Sequence, residues 1–89
     1  MQDDRTRKSA QRKIVERYRR TVGSVIGTAI RDSDKYKTQG EVARAVGVSE
    51  DTMTAIVSGL RKVELGEIVV IAKALDIDPQ VLVRRMLTW

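Results

Sequence analysis

Ser49, Glu50, Asp51 and Ala55 belong to the stretch Gly47-Val48-Ser49-Glu50-Asp51-Thr52-Met53-Thr54-Ala55-Ile56, laid out as a short helix able to enter a DNA groove. The chemistry of these side chains is narrow. Carboxylates only accept hydrogen bonds, and the group a base pair offers them in the major groove is the cytosine amino group. Ala55 can at most touch a thymine methyl, and no Arg, Asn or Gln stands here for bidentate reading of guanine or adenine. Two acids also repel phosphate. A groove-reading role therefore requires attraction from elsewhere in the chain. Otherwise Glu50 and Asp51 serve only the helix start, where acids complement the dipole by about 0.3–1 kcal/mol.

One segment has the charge for that attraction. The chain of 89 residues carries a net charge of +5. Residues 1–20 hold eight basic side chains (Arg5, Arg7, Lys8, Arg12, Lys13, Arg17, Arg19, Arg20) against the acids Asp3, Asp4 and Glu16. Residues 21–89 hold nine of each sign, so the whole excess lies in the first fifth of the sequence. A basic segment on a neutral domain reads as an arm for nucleic acid or another anion, or equally as a solvated helix face. Each phosphate that such an arm neutralises adds a salt-dependent term with a log–log slope of about −0.9. Three or four contacts would outweigh two screened repulsions.

Composition removes several other chemistries. Without Cys or His there is no disulfide, no thiolate nucleophile, no usual zinc set and no His-dependent acid–base triad. No nucleophile–base pair, metal cluster or phosphate loop is visible, so the expectation is a protein that is not an enzyme and needs no cofactor or metal. No apolar run approaches the roughly 20 residues of a membrane span, and no signal-peptide core follows the polar N-terminus. A cytoplasmic protein is expected. With 42% hydrophobic residues, 3% aromatics and no Phe, the core must be aliphatic, which favours small helices.

The apolar positions 14, 18, 22, 25, 26, 29 and 30 recur at helical spacing, predicting a helix over about 9–32 with Ser9 as its cap. Gly23 and Gly27 weaken it and imply either a break or a closely packed neighbour. Thr38-Gln39-Gly40-Glu41 has the capping-box form, opening a helix whose inward stripe is Val42, Ala43 and Val46. Gly47 ends it in the left-handed conformation, and Ser49 caps a further helix to about Val57 with Met53 and Ile56 buried. Leu60-Arg61-Lys62-Val63 reads as a basic loop. Residues 65–75 form another helix, with Ile68, Ile71, Ala72 and Leu75 inward. Asp78-Pro79 opens a last one, ending near Leu87. No strand-like alternation competes.

Two short helices joined at Gly47, followed by two that close a core, describe a helix-turn-helix unit. The run TQGEVARAVGVSEDTMTAIVSG, continuing through IVVIAKALDIDPQVL, resembles the helix-turn-helix family of phage Cro/C1-type repressors. The likeness covers about residues 38–83 and rests on Thr38-Gln39, Val42-Ala43, Gly47-Val48-Ser49, Ile56, Gly59 and Ile71-Ala72-Lys73-Ala74-Leu75. Helix 1 fits more loosely, through Ile26, Ile30 and Arg31. The resemblance implies an all-α, compact, five-helix lambda-repressor-like domain at 21–89. The basic N-terminal segment, 1–20, would be an arm or an extension continuing into helix 1.

The family's roles carry over by position. Gln39 is similar to the glutamine that contacts a phosphate and braces the recognition helix. Ser49, Glu50, Asp51 and Ala55 occupy base-reading places. Thr38, Thr54, Arg61 and Lys62 fall where the DNA backbone is met, and Arg5, Arg7, Lys8, Arg12 and Lys13 form the arm. Alternatives stand beside these roles: Ser49 as only a cap, Gln39 as only a helix-start residue, Arg61-Lys62 as a solvated loop. The chain departs from the family at Val57, where a Glu is frequent, so a surface patch there is expected to be apolar.

The resemblance implies a sequence-specific DNA-binding regulator, a small phage-, plasmid- or bacterial-type repressor acting as a dimer on a palindromic stretch of duplex DNA. The C-terminal apolar residues, Val83, Leu87 and Trp89 among them, exceed what one core face needs and are dimer candidates, unless they pack back on their own core. A different class of function is an antitoxin or other protein-interaction module on the same fold, with a toxin or regulatory protein as partner.

Overall fold

Four short sequence signals set where the helices begin. The computed structural model describes residues 4–36 and 38–88, with side chains from residue 11 onward. Its five helices are α1 (Asp4–Arg31), α2 (Gln39–Val46), α3 (Glu50–Val57), α4 (Leu65–Ala74) and α5 (Pro79–Thr88). Thr38 Oγ1 accepts from the Glu41 amide at 3.1 Å and caps α2, but the Glu41 carboxylate takes the Thr38 hydroxyl at 3.4 Å rather than the Thr38 amide, so only half of the expected capping box forms. Ser49 Oγ accepts from the Thr52 amide at 3.1 Å and fixes the start of α3. Asp78 Oδ1 accepts from the Gln80 amide at 2.8 Å, just ahead of the first-turn proline of α5. The fourth signal lies at α4, where the Glu64 amide donates to Glu67 Oε1 at 3.0 Å. Each bond satisfies an amide that the helix itself leaves orphaned.

Gly47 takes φ 86°, and its amide and that of Val48 both return to the Ala43 carbonyl. An L side chain would be strained there, so this one glycine allows α2 and α3 to follow each other within three residues.

The core is aliphatic, as composition requires. Ile26, Met53, Ile56, Ile71 and Leu82 are fully buried, joined by Val25, Ala29, Ile30, Val42, Ala43, Ile68, Ala72, Leu75 and Met86. The inward positions expected of α2, α3 and α4 are those that pack, with Val46 half-buried at the edge, and α5 adds Leu82 and Met86. α1 lies against α3 and α5, α2 against α3 and α4, and α4 against α5. Among the described residues no helix is long and apolar enough to cross a membrane.

Three features of α1 and α3 depart from or sharpen the sequence reading. First, α1 starts by Asp4, so Ser9 lies inside it and is not its cap. Arg5, Arg7 and Lys8 have good helix propensities, and nothing in them stops the helix from running on toward the N-terminus. Second, α1 is unbroken through Gly23 and Gly27, and the glycines serve a close neighbour. A Cβ on Gly23 would stand 2.5 Å from the Ile56 carbonyl oxygen and 2.6 Å from that of Val57. Third, Val57 does not make an apolar surface patch. Its Cγ1 would meet a Cβ on Gly27 at 2.9 Å, so it is half-buried against α1. The smooth face of α1 is what lets the C-terminal end of α3 approach.

At about 1.5 Å per residue the 28 residues of α1 span about 42 Å, which accounts for most of the molecule's 52 Å longest dimension. Residues 11–18 are exposed on every face, whereas Val25 to Ile30 line the core. The apolar stripe of α1 therefore outruns the globule that buries it.

Candidate nucleic-acid interface

The Gly47 turn brings the starts of α2 and α3 side by side. Thr38 is exposed and Gln39 half-buried at the head of α2. Ser49, Glu50 and Asp51 are exposed at the head of α3, and Thr54 is exposed one turn further on. Thr38, Gln39, Ser49, Glu50, Asp51 and Thr54 thus lie on two adjacent helix starts. Ala55 is half-buried, and its carbonyl accepts from the Leu60 and Arg61 amides, holding the loop after α3 against the helix.

Glu50 reaches into this corner. A Cβ on Gly40 would lie 3.2 Å from the Glu50 carboxyl carbon and from Oε1, so the carboxylate rests across the first turn of α2. That turn presents unpaired amides and the positive end of a helix dipole, which suits a carboxylate. Both acids are exposed and neither has an ion-pair partner among the described residues; what sets Glu50 apart is the position of its carboxylate beside Gly40. Only the turn geometry creates this juxtaposition. The absence of a side chain at Gly40 was its one visible trace.

The cations gather at the other end of α3. A Cβ on Gly59 would touch Arg20 Cγ at 2.8 Å, so α1 crosses the segment after α3 at Arg20. Arg19 and Lys62 border one shallow depression with Val22 and Val63. Lys62 is exposed. Arg61 is engaged: Nη2 lies 3.0 Å from Glu67 Oε2, and Nη1 donates to Glu67 Oε1 and to the Lys62 carbonyl, both at 3.2 Å. The hydrogen bond from Arg61 and then that from the Glu64 amide hold the Glu67 carboxyl below the usual carboxylate range, and the same bond pushes Arg61 up. Sequence reasoning missed Glu67. Its signal was the Glu64-x-x-Glu67 spacing ahead of an apolar run, with a basic residue one turn upstream.

Of the basic-arm residues, Arg12 and Lys13 are exposed on α1. The side chains of Arg5, Arg7 and Lys8, and all of Trp89, lie outside the described residues. Val83 is half-buried and Leu87 is 74% exposed. Both line a groove of about 450 Å³ between α4 and α5, with Leu65, Val69 and Pro79.

No curated relative matches the chain significantly. A family profile described as a helix-turn-helix domain matches residues 5–86, taking in α1 as well as the four helices after it. The paired helix starts, the left-handed glycine between them and this match over nearly the whole sequence agree: the chain belongs to the helix-turn-helix domain family.

Proposed function

We propose that the protein is a DNA-binding transcriptional regulator of the Cro/C1 type, acting as a repressor. The observation that carries the reading is the row formed by exposed Thr38, Ser49, Asp51 and Thr54 with half-buried Gln39 on two adjoining helix starts, held by the turn at Gly47. α3 enters the major groove, Ser49 and Asp51 read base edges, and Asp51 accepts from a cytosine amino group. Gln39, Thr38 and Thr54 meet the backbone. The attraction that Asp51 and Glu50 subtract is restored by Lys62, Arg19 and Arg20 beyond the far end of α3 and by the basic first part of α1, with Arg61 shared between Glu67 and phosphate.

A domain of this size covers a short stretch of DNA, so pairing of two copies on half-sites about 34 Å apart supplies affinity and specificity. The groove between α4 and α5 supports a two-fold contact there. Leu65 and Leu87 are largely exposed beside half-buried Val83, and nothing in the monomer covers them among the described residues. Such a protein is a binder, not an enzyme, and acts where the DNA is, in the cytoplasm.

Selection of binding sites from a random duplex pool tests the reading. Enrichment of a two-fold symmetric motif, bound more tightly than its scrambled form, is the expected result. A pool that stays random removes the sequence-reading role. The acidic start of α3 favours a second reading, an interaction module such as an antitoxin, in which a basic protein surface meets Glu50 and Asp51.

A further inference from the structure

The apolar stripe of α1 continues past the core. Ile14, Val15 and Tyr18 are 55%, 50% and 54% exposed, and they prolong the line of Val22, Val25 and Ile26 toward the N-terminus. On one side of Tyr18 the stripe borders a depression of about 360 Å³ closed by Met86 and Leu87 of α5. On the other it borders one of about 220 Å³ closed by Val22 and Val63. A helix needed only to reach phosphate has no use for such a line, because half-exposed Ile, Val and Tyr side chains leave apolar area in water. The flanks are cationic: on the continuous helix Arg12 and Arg19 border the stripe on one side and Arg17 on the other, while Lys13, Arg20 and Glu16, the lone acid among residues 11–20, lie toward the opposite face.

These two facts together specify an occupant. Another α1 from a second copy would match the apolar line but set cation against cation, and like charges at an interface oppose association. A bilayer would take the charge. The stripe, however, has no Trp, Phe or Leu of its own, and a depression lies on each side of Tyr18, which the side chains of a helix can enter and a flat surface does not fill. We infer that the exposed face of α1 at Ile14, Val15 and Tyr18 is a docking surface for an acidic amphipathic helix of another protein. The partner lays apolar residues spaced three and four apart over the stripe and aligns its Asp and Glu side chains with Arg12, Arg17 and Arg19. The apolar stripe is apart from the start of α3, but its flanking cations are those that the proposed function gives to phosphate, so DNA and the acidic helix compete for them.

The test measures binding of the full chain to a labelled designed peptide with Leu at helical a and d spacing and Glu on both flanks. A scrambled peptide of the same composition and a Lys-flanked version serve as comparators. The acidic amphipathic peptide binds at least about tenfold more tightly than either, and salt weakens it. Ile14→Ala with Tyr18→Ala, both on exposed positions, lowers its affinity by about tenfold. Arg12→Glu with Arg17→Glu transfers the preference to the Lys-flanked peptide. Equal binding of the acidic and scrambled peptides overturns the proposal, since only charge is then being read. So does tighter, Ile14- and Tyr18-dependent binding to phosphatidylserine vesicles, which makes the surface a lipid face. Loss of self-association in the Ile14→Ala, Tyr18→Ala variant, seen by sedimentation, assigns the stripe to a second copy and overturns it as well.

Discussion

Arg61 and Glu67 form a two-pronged ion pair, 3.0 Å between Nη2 and Oε2 and 3.2 Å between Nη1 and Oε1, and the same Oε1 accepts the Glu64 amide that opens α4. One carboxylate thus pins the loop after α3 and caps the next helix. Because its folded pKa is depressed, the stability it contributes is present at neutral pH and is lost as pH falls through that lowered value. Glu67→Gln keeps an acceptor for the Glu64 amide but loses the charge. Melting curves should place this variant a few degrees below the parent at neutral pH, with the gap closing in acid. A gap that stays constant with pH assigns the effect to packing instead.

Gly23 gives the sharpest steric prediction. Gly23→Ala would press a methyl group onto the carbonyl oxygens of Ile56 and Val57 at 2.5 and 2.6 Å, and backbone on both sides has nowhere to yield. A loss of about 1–3 kcal/mol is expected by chemical denaturation, the range for overpacking a well-fitted contact. Gly66→Ala is the counterpart. A Cβ there meets nothing within 4 Å and lies in the first turn of α4, so the same change should stabilise by about 0.4–1 kcal/mol. If both variants behave alike, the close crossing of α1 and α3 is not what fixes Gly23.

The contrast between these glycines marks how far sequence carries. Thr38, Gly47, Ser49 and Asp78 were legible because caps and left-handed turns are local, decided by residues within one helical turn. The inward residues of α2, α3 and α4 were legible because periodicity names a face without naming its partner. What sequence could not supply were contacts between distant segments. Val57 against Gly27 spans thirty positions, and its family substitution looked like a surface change until α1 was seen to lie on it. Glu50 over Gly40 needed the geometry of the Gly47 turn. The stripe at Ile14 and Tyr18 has the same period as the core positions that follow it, so periodicity alone could not tell where burial ends.

Lys62 and Arg61 separate two roles that their adjacency hides. Lys62 is exposed, so Lys62→Ala should weaken selected and scrambled duplexes about equally and reduce the log–log salt slope by about one unit. Arg61→Ala should lower thermal stability as well, because it leaves the Glu67 carboxylate without its ion-pair partner. A loss at Lys62 confined to one sequence would show that it reads bases.

The groove between α4 and α5 makes the two-fold contact testable through Leu87. Sedimentation at micromolar concentration should give about twice the chain mass for the parent and the monomer mass for Leu87→Asp. Leu87 is 74% exposed, so a carboxylate there does not disturb the monomer's core. A Leu87→Asp chain that still pairs places the interface elsewhere.

Glu50 and Asp51 supply the most direct test of whether α3 reads DNA. Asp51 is exposed and lacks an ion-pair partner among the described residues, while the Glu50 carboxylate rests across Gly40 at the start of α2. A unit charge about 6 Å from a phosphate is repelled by about 0.7 kcal/mol in a water-like dielectric, so Asp51→Asn should raise general duplex affinity about threefold. Its new amide can pair with adenine, and the preferred base should change where the parent selects cytosine. Glu50→Gln should raise affinity less, because part of that charge already faces the positive end of α2. It should also lower stability by a few tenths of a kcal/mol, the value of an acid at a helix start. Neither change is large enough to unfold the domain and obscure the comparison. Measured on selected and scrambled duplexes at two salt concentrations, the two single variants should therefore differ from each other as well as from the parent. If both leave affinity and base preference where they were, the start of α3 faces solvent or a protein in the working complex, and the interaction-module reading takes the place of the DNA-reading one.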